Sequence, residues 1–288
     1  MNYQMIESNV KKLRDPFVIK ADGKYYMYGT GWQCYKSDGD LTEWEKVDKE
    51  IVVTPEEYLK DPWAPEVHEY NGAYYMFTTY CSKVTERRGC TILKLDSPEG
   101  PFKEITNGHI TPREWDNIDG TLYIDKENKP WMVFVHEWVS TPDNIGRMAA
   151  ARLSDDFTHF VSEPIELFRA DEPDWAEHVT DGCFMYRTEE GKLLMLWSNI
   201  EKGFGYCTAL AESSNGEIDG KWTHAEERLF SKSVTGEYDG GHGMIFEAFD
   251  GNKYLSIHSP NQKIGDREEM PIFVKVEEKD GLLVCCVE

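Results

Sequence analysis

Apolar and polar positions alternate in short runs along this chain, and the runs return in one order five times. Each unit has a polar lead, an apolar strand, a short turn and an aromatic-rich strand. The units are DPFVIKADGKYYMYGTG from Asp15, PEVHEYNGAYYMFTTY from Pro65, DGTLYIDKENKPWMVFVHEW from Asp119, DGCFMYRTEEGKLLMLWSN from Asp181 and HGMIFEAFDGNKYLSIHSPN from His242. Their starts lie roughly 50 to 60 residues apart, a spacing that belongs to repeat architectures. In four of the five the link carries a glycine, as in Asp22-Gly23-Lys24, which suits a tight hairpin.

A third strand and a polar turn follow each hairpin, in CYKSDGDLTEW, TILKLDSPEGPF, AARLSDDFTHF, ALAESSNGEIDGKW and PIFVKVEEKDG. Segments such as EKVDKEIVV and EPIELF supply fourth strands. Clean 3.6-residue periodicity is absent and Gly and Pro interrupt often, so the chain reads as all-β. Four-stranded sheets repeated five times predict a five-bladed β-propeller over residues 1–288, with the first strand of each blade innermost. A β-sandwich would not explain why special polar residues recur at one place in every repeat. The N-terminal dozen residues are expected to pair with the last sheet and close the ring.

In such a ring the starts of the first strands converge on one mouth. Aligning the repeats puts Asp15, Glu66, Asp119, Asp181 and His242 there. An Asp before Gly or Pro is ordinarily a turn residue, but turn chemistry does not demand the same register in each blade. Clustered carboxylates repel, which pushes their pKa values apart and suits acid/base chemistry. Second strands end on the same side. Trp32, Trp138 and His258 therefore read as rim residues, joined by Trp63 before the second blade, with flat faces fit to stack on sugars. Trp44, Trp131, Trp197 and Trp222 fall in strands or turns and read as packing.

Charge narrows the partners. A net charge of −22 argues against a nucleic-acid or anionic membrane surface, because both need clustered cations. Seven cysteines, odd in number and without CxxC spacing, predict reduced thiols. With no apolar run like a secretory signal in MNYQMIESNVKKLRDP, a cytoplasmic protein is expected.

The segments RDPFVIKADGKYYMYGTG, DPWAPEVHEYNGAYYMF, NIDGTLYID and GGHGMIF, taken in order, resemble glycoside hydrolase family 43 from about Leu13 to Asn261. The resemblance implies a five-bladed propeller that hydrolyses α-L-arabinofuranosides or β-D-xylosides with inversion. It implies Asp15 as general base, Asp119 as the aspartate that orients the sugar and raises the acid's pKa, and His242 on the axis beside a structural calcium or sodium ion, with no organic cofactor. The family's proton donor is a Glu-Gly-Pro glutamate; this chain has Thr180-Asp181-Gly182-Cys183 at that place. Asp181 is therefore the expected acid, with Glu137 and Glu177 as alternatives, and the literal Glu99-Gly100-Pro101 reads as a loop. The expected activity is removal of a terminal pentose, α-L-arabinofuranose before β-D-xylose, from small plant-type oligosaccharides. The alternatives are a non-catalytic carbohydrate-binding propeller or a related glycosidase of other sugar specificity.

Overall fold

A computed structural model of the protein describes residues 3–53 and 59–287. Its strands form five sheets, each built on an antiparallel meander, arranged as a five-bladed β-propeller. The innermost strands are Phe17–Ala21, Leu59–Tyr70, Asn117–Ile124, Asp181–Arg187 and Gly241–Glu247. The segment EPIELF does supply a fourth strand, Ile165–Arg169 of the third blade. EKVDKEIVV is divided: Glu45–Lys46 completes the first blade, whereas Val52 pairs in parallel with Phe102 of the second. Its apolar side chain is buried there against the neighbouring sheet.

The ring closes as the chain ends suggested. Met5–Glu7 pairs antiparallel with Ile272–Val274 of the fifth blade, while Leu282–Cys285 pairs with Val276–Lys279 of the same strand. The outer strand of that blade is thus shared between both chain ends, and its hydrogen bonds tie them together. Apolar clusters fill the spaces between neighbouring blades, with Trp44, Trp197 and Trp222 buried in them and Trp131 packed against one. Glu99 lies in the turn after the second blade's third strand, paired with Lys36 and Lys49. All seven cysteines are free.

The inner strands break their regularity only at the start. Asp15, Ala64, Asp119 and His242 have φ between 42° and 56°, and Gly182 has φ 31°. In the last four blades the ladder register slips at these residues, as β-bulges do. A left-handed residue inside a bulge escapes strand alternation, so its side chain can turn toward the axis. Asp and His tolerate this conformation better than most residues.

Candidate active site

The four bulges, and the left-handed Asp15 ahead of the first blade's inner strand, leave five backbone amides outside their ladders, and a buried amide needs a partner. In each case the partner is a side chain of the preceding blade. Thr30 Oγ1 accepts from Ala64 N (3.0 Å), Thr79 Oγ1 from Asp119 N (2.9 Å) and Ser198 Oγ from His242 N (2.8 Å). His258 Nδ1 accepts from Asp15 N (3.3 Å), which makes Nε2 the protonated nitrogen facing Asn261 Oδ1 at 3.2 Å. The fifth acceptor departs from this set: Gly182 N donates to the carboxyl Oδ2 of Asp119 (3.0 Å). The second strand of the third blade puts Val135 at this level, opposite Ile118, and a valine side chain has no acceptor to offer.

These caps fix four side chains around one point. His242 Nδ1 lies 3.3 Å from Asp15 Oδ1, 3.8 Å from Asp119 Oδ2 and 3.8 Å from Asp181 Oδ1. Glycine at 182 makes the approach possible, because a Cβ there would stand 2.8 Å from His242 Cγ. Asp15, Asp119 and His242 are buried; Asp181 is the most open, its side chain 24 % exposed.

The carboxyls differ in protonation. Burial works to raise the pKa of Asp15, yet His242, His258, the Arg14 guanidinium and the Thr30 hydroxyl together hold it below the usual carboxylate value. Asp119 goes the other way, well above the ordinary value, through burial, the charge of Asp181, a hydrogen bond shared with Asp181, and the charge of Asp15. One buried carboxyl, Asp15, is thus held toward the ionised form and another, Asp119, toward the protonated one. Tyr206 donates its O–H to Asp181 Oδ2 at 2.9 Å.

The other predicted residues fall elsewhere. Glu66 is not at the mouth: the bulge places Ala64 there, and Glu66 sits two residues further in, buried and 3.3 Å from His68 Nε2. His258 is not on the rim but fully buried beneath Asp15. Trp32 is anchored by Nε1 to Thr78 Oγ1 (3.0 Å), Trp63 is half-buried under the Arg88 guanidinium at 5.6 Å, and Trp138 meets His178 edge-on at 6.0 Å. Glu137 is buried and held by Arg88 Nε; burial raises its pKa, Arg88 opposes this, and the charges of Asp116 and Asp181 add to it. Glu177 makes no side-chain hydrogen bond or ion pair with the cluster among the described residues.

Sequence reasoning missed Thr30, Thr79, Ser198 and Tyr206. The three capping hydroxyls do leave a trace: each follows the apolar run of a second strand and precedes its partner by 34 to 44 residues.

His242 Nε2 is buried without a hydrogen-bond partner among the described residues, as is Thr121 Oγ1 in the third blade's inner strand. One orphaned imidazole nitrogen fits a cation whose other positions are filled by water. Asp119, Asp181 and His242 also offer ligand atoms within 4.8 Å of one another, but the two carboxyls are already engaged with each other, with Gly182 and with Tyr206.

The sequence profile of glycosyl hydrolases family 43 matches residues 10–281. The chain belongs to glycosyl hydrolases family 43. This family 43 protein is a glycosidase, and a purely carbohydrate-binding role gives way. It is similar to an endo-arabinase from Bacteroides thetaiotaomicron, at 36% identity and TM-score 0.86, covering 98% of this chain and 99% of that one. A curated relative, the extracellular endo-alpha-(1->5)-L-arabinanase of Thermotoga petrophila, is 31% identical in an alignment 159 residues long, with coverage of 42% of this chain and 33% of that protein. The match therefore spans about a third of that relative's length. An exo-1,5-alpha-L-arabinanase from a bovine ruminal metagenomic library shares the fold, with TM-score 0.70 at 19% identity and coverage of 98% and 99%.

Proposed function

We propose that this glycosidase hydrolyses α-1,5-linked L-arabinan with inversion, and that it cuts inside the chain. The observation that carries the chemistry is the convergence of Asp15, Asp119 and Asp181 on His242 Nδ1. The nearest oxygens of Asp15 and Asp181 are thereby at most about 7 Å apart, a ceiling that reaches into the roughly 6.5–9.5 Å that admits a water between two carboxyls. Asp15, kept ionised, takes a proton from that water as its oxygen bonds to the anomeric carbon. The bond from that carbon to the glycosidic oxygen breaks, and Asp181 gives its proton to the leaving oxygen. Asp119 is the neighbouring acid, hydrogen-bonded to Asp181 and itself held well above the ordinary carboxyl pKa by burial and the charge of Asp181. Of the alternative acids, Glu137 is engaged by Arg88, and Glu177 has no link to the cluster.

Arabinan rather than a xyloside is favoured by the endo-arabinase matched over almost its whole length and by the arabinanase names of the curated relatives. The same names favour internal cleavage over removal of a terminal residue, the expectation drawn from the sequence. An axial calcium or sodium ion would be held through His242 Nε2 and would add positive charge beneath the carboxylates. The unbridged cysteines suit a reducing compartment, whereas the matched curated relatives from bacteria are named extracellular. Fractionating the native host would decide between them.

Incubation with debranched arabinan tests the reading. A ladder of arabino-oligosaccharides at early times, with proton NMR recording inverted reducing ends, is expected. Arabinose as the sole early product would overturn internal cleavage, and retained configuration would overturn the assignment of Asp15 as base.

A further inference from the structure

Tyr206 opens the third strand of the fourth blade, Gly205–Ser213, and is held on every side. Its amide donates to Asp239 Oδ2 at 3.1 Å, and its ring stacks on His258 at 5.5 Å with 26° between the planes. The opposite edge fills the space left by Gly241, where a Cβ would stand 2.5 Å from Tyr206 Cε1. The residue is 2 % exposed. A buried phenol must find an acceptor or lose the cost of its desolvation, and the acceptor is Asp181 Oδ2 at 2.9 Å. Burial and the charges of Asp181, Asp15 and Asp119 push the phenol pKa well up, so it remains a donor through the working pH range.

Asp181 has a different character. It is the open member of the cluster, and an aspartate has few torsions with which to aim its carboxyl. Its plane is set by what binds it: Asp119 through the shared hydrogen bond and Tyr206 through the phenol. Oδ2 accepts from the Tyr206 hydroxyl and Oδ1 from Gly182 N at 2.9 Å, so the phenol and the next residue's amide pin the two oxygens and with them the carboxyl plane. The stacked His258 in turn caps the amide of Asp15. One rigid ring thus touches the supports of both halves of the reaction, but it donates only to the acid.

We propose that Tyr206 is a positioning residue for proton donation: its hydroxyl orients the Asp181 carboxyl toward the leaving glycosidic oxygen. This rests on Asp181 being the acid. Proton donation matters in proportion to the basicity of the leaving group, whereas a general structural fault slows every substrate alike. The test is kcat/KM for aryl α-L-arabinofuranosides and aryl α-1,5-arabinobiosides of phenol, 4-nitrophenol and 2,4-dinitrophenol, with wild type, Tyr206→Phe and Asp181→Ala. Tyr206→Phe is expected to lose about tenfold more on the phenyl than on the 2,4-dinitrophenyl substrate, and Asp181→Ala to lose more still in the same sense. The ratio of the two rates is independent of any inactive fraction. If Tyr206→Phe does not fold, Gly241→Ala, which pushes on the ring while keeping the hydroxyl, is expected to give a weaker version of the same dependence. An equal loss across the series for the Tyr206 or Gly241 variant, or no loss, with Asp181→Ala still leaving-group dependent, overturns the positioning role alone. An equal loss in Asp181→Ala overturns the acid assignment and the inference with it.

Discussion

At the junction of the fifth and first blades, the neutral imidazole of His258 accepts the amide of Asp15; at the junction of the third and fourth, the carboxyl of Asp119 accepts the amide of Gly182. Both bonds satisfy the backbone amide of a positive-φ residue that stands outside its ladder. Their electrostatic consequences are opposite. The imidazole adds no negative charge beside Asp15, and with Arg14 and His242 nearby that acid stays ionised despite burial. The carboxyl cap instead sets a second acid beside Asp181, and burial with the charge of Asp181 raises the pKa of Asp119 well above the ordinary value. A ring of repeated capping bonds is therefore made asymmetric by replacing one neutral cap with an acid, and the asymmetry separates base from acid.

Exchanging only the charge of that cap should have the largest effect. An asparagine side chain would still present a carbonyl oxygen to Gly182, so Asp119→Asn is expected to keep its melting temperature within a few degrees. Its kcat on arabinan should fall by about 10²–10⁴, the usual scale of lost acid/base assistance. Near-normal turnover would mean that the cap's charge is irrelevant, and the contrast between the junctions would carry no function.

The histidine side of the contrast can be broken with pH. His258 is fully buried and its pKa is lowered to about 4 by burial and Arg14, with the Asp15 charge and the bond to Asn261 opposing. Burial also lowers His109 and His136 to about 4. In the unfolded chain these imidazoles take up protons near pH 6.5, so the unfolded state binds more protons below that value. Stability is full above about 6.5, declines as pH falls, and has lost this contribution by about pH 4, on the order of 3 kcal/mol for His258. Thermal melts between pH 7 and 4 check this, and a flat melting temperature across that window would contradict it.

A neutral cap should matter for stability and little for chemistry. Ser198→Ala leaves the His242 amide buried without its acceptor, a loss of about 1–3 kcal/mol. Denaturant unfolding should register it, while the dependence of rate on leaving group stays as in wild type. A changed leaving-group dependence would show that neutral caps also tune the acid, erasing the distinction between the two kinds of junction.

The fold and the carboxylate cluster were legible because repetition reports geometry: five similar hairpins imply one axis, and residues at equal register meet there. Glu66 misled because register was read from polarity, whereas the backbone sets it by the left-handed residue, which in the second blade is the apolar Ala64. His258 misled for a related reason. It ends a second strand as the rim residues do, but its ring turns beneath a neighbouring blade's first residue, 243 positions away in sequence. Caps cross from one repeat to the next, so a reading that aligns repeats without pairing neighbours cannot assign them. Tyr206 gave no sign, since a tyrosine opening an apolar strand is ordinary core material until its hydroxyl is seen to face a carboxyl.

The smallest expected effect concerns the base. Arg14 donates to Asn261 O (2.7 Å), Asn261 Oδ1 (3.0 Å) and Glu269 Oε1 (3.1 Å), so its charge is anchored beside Asp15 without bonding to it. Arg14 and Asp15 precede the strand Phe17–Ala21 and the left-handed Asp15 turns its side chain away from that anchor; the field still reaches the carboxyl and lowers its pKa. Arg14→Gln keeps a hydrogen-bonding side chain and removes the charge. Asp15 works ionised, so raising its pKa moves the ascending limb of the kcat/KM profile to higher pH. A shift of about one unit, or tenfold in rate below the limb, is expected, with the plateau near wild type because the base is fully ionised there. If the limb stays and the plateau falls, Arg14 acts through the fold of the Asn261 loop, and the ionised state of Asp15 is owed to its two histidines and Thr30 alone.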